Sequence, residues 1–239
     1  MTKFVTTNAK PKHPSFDPTL APLQVKPATN DELLQSVPNS QLSPTALRAR
    51  FANPPKWNQE LTGDKFRLDD RPIVKAAVLV PIVMHAGGAT LLLTMRSAHL
   101  SDHAGQIAFP GGRCDDTDAN VEATALREAF EEIGLHDGAI EVIGLLPVYQ
   151  TGTGYAVTPV VALVQPGETL VLQVTEVDEA FEVPLEFLMD PANHQQRMIQ
   201  IKDQDRLFYA MPYTIAGKEY FIWGATAAMI RQLYRLLSA

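Results

Sequence analysis

The segment that decides the fold runs through Phe109-Pro110-Gly111-Gly112 and a short acidic loop. It continues as Ala125-Leu126-Arg127-Glu128-Ala129-Phe130-Glu131-Glu132-Ile133-Gly134-Leu135. Its residue types predict a helix from Asp118 to Ile133. Asp118 can cap the start, and Gly134 can end the helix in the left-handed conformation, with Leu135 folding back as the apolar contact. Glu128 lies three positions before Glu131 and four before Glu132, so on a helix all three carboxylates project from neighbouring positions on one side. Leu126, Ala129, Phe130 and Ile133 form the other stripe, expected to pack on a sheet. Three like charges at this spacing repel, and a hard divalent cation removes the conflict. Magnesium takes oxygen ligands, keeps several waters and completes its shell with substrate phosphates. Arg127, four positions before Glu131, can orient that carboxylate. Taken alone, a Glu-rich helix is more often a solvated acidic face, so the residue types leave both readings open.

On either side of this helix the texture is strand-like. Runs at Ala76 to His85, Ala89 to Met95 and Gln106 to Phe109, separated by Gly87-Gly88 and a polar loop, suggest a meander. Further strands are expected at Ile140 to Val148, Val157 to Val164, Thr169 to Val174, Gln196 to Ile201 and Leu207 to Ile215. Gly224 to Leu237 places Ala228, Ile230, Leu233, Tyr234 and Leu237 near helical spacing with Arg231 and Arg235 elsewhere, which predicts an amphipathic closing helix. A helix on each side of a mixed sheet makes an α/β/α sandwich the expected architecture. Nine of the 18 prolines precede Lys56. Residues 1–55 therefore read as a Pro-rich, mostly irregular arm, with short helices at Asn30 to Leu34 and Ser43 to Leu47, ahead of a domain spanning 56–239.

With 239 residues, 46% of them apolar, the chain can bury one substantial core. A net charge of −7 argues against a nucleic-acid backbone or an anionic membrane as the main partner. Cys114 is the only cysteine, so no intramolecular disulfide can form. The polar start, the lack of a membrane-length apolar run and the single thiol together give a cytoplasmic reading.

The constellation from Gly112 to Leu135 resembles the signature of the Nudix hydrolase family: a glycine, then an acid, then Arg-Glu-x-x-Glu-Glu-x-Gly and an aliphatic residue. The resemblance implies a Nudix fold, an α/β/α sandwich with a mixed β-sheet and a loop-helix-loop catalytic motif. It also implies a metal-dependent pyrophosphohydrolase in which Glu128, Glu131 and Glu132 serve as metal-binding or base carboxylates. A backbone carbonyl at Gly111 or Gly112 would assist, and Arg127 would orient the cluster. One departure is visible: the common pattern places a glutamate eight residues before the arginine, where this chain has Ala119, with Asp118 the nearest acid.

Upstream, Leu92-Leu93-Thr94-Met95-Arg96-Ser97-Ala98 and His103-Ala104-Gly105-Gln106 resemble the additional signature of the coenzyme A diphosphatase branch, as does Gly154-Tyr155-Ala156-Val157-Thr158-Pro159-Val160. That branch's usual arginine four residues before the glycine is Ser101 here. The implied substrate is coenzyme A or an acyl derivative, with Mg2+ as cofactor and Mn2+ as an alternative. Other pyrophosphates such as ADP-ribose, and a non-catalytic nucleotide sensor, are the competing readings. A small-molecule nucleotide is thus the expected partner, and a homodimer is also expected. Arg96, a cation at a strand end, could meet a phosphate with a forked donor, and Gly111, Gly112 and Arg113 are the other candidate substrate contacts. His99 and His103 could bind phosphate, though a loop histidine is more often only solvated. Among Glu176, Asp178 and Glu179, Glu179 is the preferred auxiliary base, set against a solvated loop.

Overall fold

The computed structural model describes residues 17–24, 34–60, 63–64, 67, 72–99, 105–201 and 204–239. The expected helix at Asn30 to Leu34 (except Leu34) and His103 lie outside them. A mixed sheet is built on β1 (Val74–His85), whose continuous apolar run is covered on both faces. β2 (Gly88–Arg96) turns back antiparallel from it through Ile82↔Leu91 to His85↔Gly88. The near half of the same edge takes β4 (Gly111–Arg113), with Ala76↔Arg113 and Val78↔Gly111. β1 therefore forks, and Leu79 N–H donates to the Pro110 carbonyl at the fork. On its other edge β1 pairs parallel with β7 (Tyr155–Val164) over ten residue pairs.

The rest of the sheet comprises β3 (Ile107–Ala108) and β8 (Val177–Pro184) on β2, and β5 (Ile140–Leu145) and β6 (Tyr149–Gln150) on β7. The expected meander thus holds for β1, β2 and β3, while β4 returns to β1 instead of continuing outward.

Helix α2 (Val121–Ile133) lies on one face, packing Ala125, Ala129 and Ile133 against Ala77, Leu79, Leu92, Val160 and Ala162. The opposite face is covered by α3 (Leu185–Leu188), α4 (Gly224–Leu237) and a second antiparallel sheet of β9 (Gln195–Ile201), β10 (Gln204–Ile215) and β11 (Lys218–Trp223). This is the expected sandwich of helices about a mixed sheet. The additional three-stranded sheet goes beyond the sequence reading, which has no strand at β11. No helix among the described residues is long and apolar enough to cross a membrane.

Several expectations are corrected. The catalytic helix begins at Val121 with Asn120 as its cap, the Asn120 Oδ1 accepting from Ala123 N–H at 2.8 Å. Asp118 is drawn away from capping by Arg127. Thr169 to Val174 is not a strand; it runs past the end of α2, where Val171 and Gln173 N–H donate to the Ile133 and Glu132 carbonyls at 2.9 Å each. Those carbonyls have no partner within the helix, and satisfying them takes this segment out of the sheet. Arg231 is expected off the apolar face of α4, yet its side chain is 2% exposed and ion-paired to Glu60 at 2.8 Å.

The arm is in close contact with the domain. Ser43 caps α1 (Pro44–Ala52) by accepting from Ala46 N–H at 3.3 Å, and Val37, Leu42 and Leu47 are buried in the main core. Arg48 binds Glu141 with two donors at 2.7 Å each. Farther back, Leu23 bridges to Arg197 on the edge of β9. The boundary at Lys56 is therefore a proposal about segments of one packed body.

Candidate active site

The site is assembled where α2 crosses β4. On a helix, positions four apart share a row, so Thr124, Glu128 and Glu132 form the row beside the buried Ala125, Ala129 and Ile133. Arg127 and Glu131 form the next row, turned toward solvent. The three carboxylates therefore do not share one environment, contrary to the expectation of a single cluster: side-chain exposures are 17% for Glu128, 6% for Glu132 and 56% for Glu131. The packing stripe also differs from expectation. Phe130 is exposed against His136, with ring centroids 5.0 Å apart. Leu126 packs against the core beneath α2 as expected, and with Phe130 it also lines an outward hollow of about 560 Å3.

Gly111 and Gly112 let the helix approach β4. A Cβ on Gly112 would sit 2.5 Å from a Glu128 carboxylate oxygen, and one on Gly111 would sit 2.5 Å from the Ala77 carbonyl oxygen. A side chain at Gly112 would displace the Glu128 carboxylate, whereas one at Gly111 would collide with Ala77 and Val78 of β1. Glu132 Oε2 accepts from Gly111 N–H at 3.1 Å, and its Oε1 is 4.0 Å from the Arg96 guanidinium. Burial pushes the Glu132 carboxyl up to about 7, with Glu128 and Glu176 adding like-charge repulsion against the opposing Gly111 hydrogen bond and Arg96. Burial also raises Glu128, although Arg127 opposes it.

Arg127 ties the rows together. It donates to Asp118 Oδ1 and Oδ2 at 2.9 and 2.8 Å, to Glu128 Oε1 at 2.9 Å, to Glu131 Oε2 at 3.0 Å and to the Arg113 carbonyl at 3.1 Å. Gly134 terminates the helix in the left-handed region at φ 68°, and Leu135 folds back buried, as expected.

Among the described residues no three acidic, histidine or cysteine side chains converge tightly enough to hold an ion by themselves. That still fits magnesium, which binds through one or two carboxylates and otherwise uses waters and phosphate oxygens. The buried pair Glu128 and Glu132, pressed on the backbone of Gly111 and Gly112, is such an oxygen donor set. Zinc or copper would want nitrogen or sulfur, and neither is offered at these positions.

Arg96 stands beside Glu132 with its Nε buried and without a hydrogen-bond partner, a donor a ligand oxygen could satisfy. Arg113 ends β4 and is exposed. His99 is exposed in the loop after β2. Glu179 is not in the site. It shares a strand face with Phe181 and Val183, which pack away from α2, and its carboxylate is taken by Lys218 and Tyr220. Glu176 instead acts electrostatically on both Glu128 and Glu132. The Ser97 N–H donates to its carbonyl at 2.8 Å, beside the bulge at Met95/Arg96. Sequence reading names Glu176 but prefers Glu179, because a bulge that shifts the register by one residue leaves no mark in composition.

A family model described as a NUDIX domain matches residues 74–204. A protein of Escherichia coli O1:K1 / APEC described as "Uncharacterized Nudix hydrolase NudL" is 45% identical over 159 residues, covering 66% of this chain and 80% of that protein. The same description and figures apply to a relative from Shigella boydii serotype 18. Among solved structures, a C. elegans Ap4A hydrolase binary complex is 24% identical with a TM-score of 0.41, covering 48% of this chain and 82% of that one. The matched span contains β1 through β9, with the glycine turn, α2 and Arg96 inside it, and the chain belongs to the Nudix family as a Nudix pyrophosphohydrolase.

Proposed function

We propose that this Nudix enzyme hydrolyses the pyrophosphate of coenzyme A or an acyl derivative, releasing 3',5'-ADP and 4'-phosphopantetheine. The observation that carries the reading is the arrangement of Glu128 and Glu132 on the Gly111-Gly112 backbone, with the unpartnered Nε of Arg96 beside them. Carboxylates gather a cation, whereas a guanidinium gathers phosphate. A polyanionic nucleotide that arrives with a divalent ion satisfies both. The choice of coenzyme A rests on the resemblance carried by Leu92 to Gln106 and Gly154 to Val160.

In this reading Glu128 and Glu132, with a carbonyl of Gly111 or Gly112, hold Mg2+ or Mn2+. When bound, the ion neutralises phosphate charge and acidifies water. Arg96 orients the phosphate, Arg113 meets the substrate at the rim, and Glu131 accepts a proton from water while Arg127 fixes its direction. The substrate's 3'-phosphate requires a cation beyond the catalytic helix and beyond Arg96, for which Arg113 at the exposed end of β4 is the candidate.

The test is a panel of coenzyme A, dephospho-coenzyme A, ADP-ribose and dinucleotides, with Mg2+ or Mn2+ and products read by mass spectrometry. Coenzyme A should give the two named products, and oxygen-18 water should label one product phosphate. Intact coenzyme A alongside efficient ADP-ribose cleavage would overturn the substrate assignment. Metal-independent binding with no hydrolysis of any member would overturn the catalytic reading.

A further inference from the structure

We propose that Asp178 is a positioning residue for Arg96, and that the β-bulge it occupies keeps the Arg96 guanidinium open for a phosphate oxygen. β2 and β8 pair in step from Thr90↔Pro184 to Met95↔Glu179, and the next pair is Arg96↔Val177. Asp178 is the residue left over. In an unbroken ladder Asp178 would stand opposite Arg96, where opposite charges on paired strands attract. The guanidinium would then be taken by its neighbour's carboxylate. A bulge re-aims the side chains beyond it, and here it gives that place to Val177, which is buried in the core beneath α2.

The displaced carboxylate is used on the backbone that follows Arg96. Its Oδ2 accepts from the Ala98 N–H at 2.9 Å, and the Ser97 hydroxyl donates to the same carboxylate. These two donors, Ala98 foremost, hold the Asp178 carboxyl below the usual carboxylate range. Ser97 is fully buried, and its N–H donates to the Glu176 carbonyl at 2.8 Å. On the other edge of β2 the Arg96 N–H donates to the Gln106 carbonyl, and the Gly105 N–H to the Arg96 carbonyl, at 3.0 Å each. The end of β2 is therefore gripped from both edges. From it the Arg96 side chain reaches Glu132, with its Nε buried and without a hydrogen-bond partner. Removing the Asp178 carboxylate releases one of these grips and costs Arg96 its aim, while the carboxylates on α2 stay in place.

The inference rests on the reading above in which Arg96 meets phosphate, so its test reads that contact directly. Arg96→Ala, Asp178→Ala, Asp178→Asn and the double variant Arg96→Ala/Asp178→Ala would be compared after thermal melting confirms folding. Each would be titrated calorimetrically with inorganic pyrophosphate and Mg2+, and the Arg96 Nε–H followed by nitrogen-15 NMR. Asp178→Ala should shift the Arg96 signal. It should also weaken pyrophosphate binding about 10- to 100-fold, the loss of one hydrogen bond to a charged group. Asp178→Asn keeps an oxygen for the Ala98 N–H and should retain most of the affinity. The double variant should bind no more weakly than Arg96→Ala alone, because both changes remove the same contact. Turnover of coenzyme A or ADP-ribose by Asp178→Ala should show a raised KM with kcat little changed.

Additive losses in the double variant would overturn the positioning role, because Asp178 would then act by a route other than Arg96. Parental affinity with an unmoved Arg96 signal in folded Asp178→Ala would overturn it as well. If Asp178→Ala fails to fold, the similarly shaped Asp178→Leu, which offers no acceptor, decides the matter. Parental pyrophosphate affinity in Arg96→Ala would tell against the phosphate contact instead, leaving the Arg96 signal to judge the positioning role.

Discussion

Glu132 is the residue on which the chemistry and the stability of this enzyme pull in opposite directions. Its carboxyl is buried and pushed from 4.5 up to about 7. As pH rises the unfolded chain ionises first, so this group destabilises the cation-free fold progressively between about pH 4.5 and 7, and by a constant amount above that. Glu132→Gln should therefore raise the melting temperature of chelator-treated protein at pH 8, by the equivalent of up to about 3 kcal/mol, with little effect at pH 4.5. The same variant should lower turnover on the order of a hundredfold at saturating magnesium. Melting curves across pH, alongside initial rates, check both; a near-parental rate would remove Glu132 from the site. Glu128→Gln should behave similarly in turnover. Glu122→Gln, in the first turn of α2 and away from Gly111 and Gly112, is the control and should leave rates unchanged.

At the scale of elements, α1 contributes packing to the domain. Leu47 is fully buried in the main core, and Leu47→Ala should cost about 2–5 kcal/mol in denaturant unfolding, with kcat of the folded fraction unchanged. The Phe51 ring lies against Gly144, where an added Cβ would stand 2.6 Å from a ring carbon. Gly144→Val should consequently displace α1 from β5 and destabilise by about 1–3 kcal/mol. A shortened chain beginning at Lys56 loses Val37, Leu42 and Leu47 from the core. It should melt earlier than the full chain yet keep metal-dependent turnover per folded molecule. Abolished turnover in a folded truncation would show that the arm helps to build the site.

Over the whole molecule, distant segments are pinned by a buried ionic cluster under α4. Arg231 donates to Glu60 at 2.8 and 3.2 Å and contacts His194 at 3.1 Å, while Arg235 approaches Glu60 at 3.1 Å. Removing one partner of such a pair strands a charge where water cannot reach it. Glu60→Ala should cost about 3–5 kcal/mol, measured by urea unfolding, whereas the nearest catalytic contacts stay intact and kcat should not follow. A loss below about 1 kcal/mol would show that Arg231 finds other acceptors. The cluster joins the segment ahead of β1 to β9 and the last helix, so it ties the family-matched span to what precedes and follows it.

What was legible in the sequence was local. The helix that carries Glu128, Glu131 and Glu132, the stop at Gly134 and the apolar run of β1 each follow from a repeat of three to four or from unbroken hydrophobicity, and these elements are found in place, although the helix turns Glu131 to solvent and does not group it with the buried Glu128 and Glu132. The sandwich followed from the order of those elements. Long-range partners decided the rest. Asp118 gave up the helix cap for Arg127, nine residues on. Thr169 to Val174 left the sheet to satisfy the carbonyls of α2. A bulge at Met95/Arg96 brought Val177 opposite Arg96, while the face parity of β8 turned Glu179 to the far side. Arg231 was buried because Glu60, 171 positions away, could neutralise it. In each case a polar group satisfied a need created by a residue far along the chain, and only folding brings the two together.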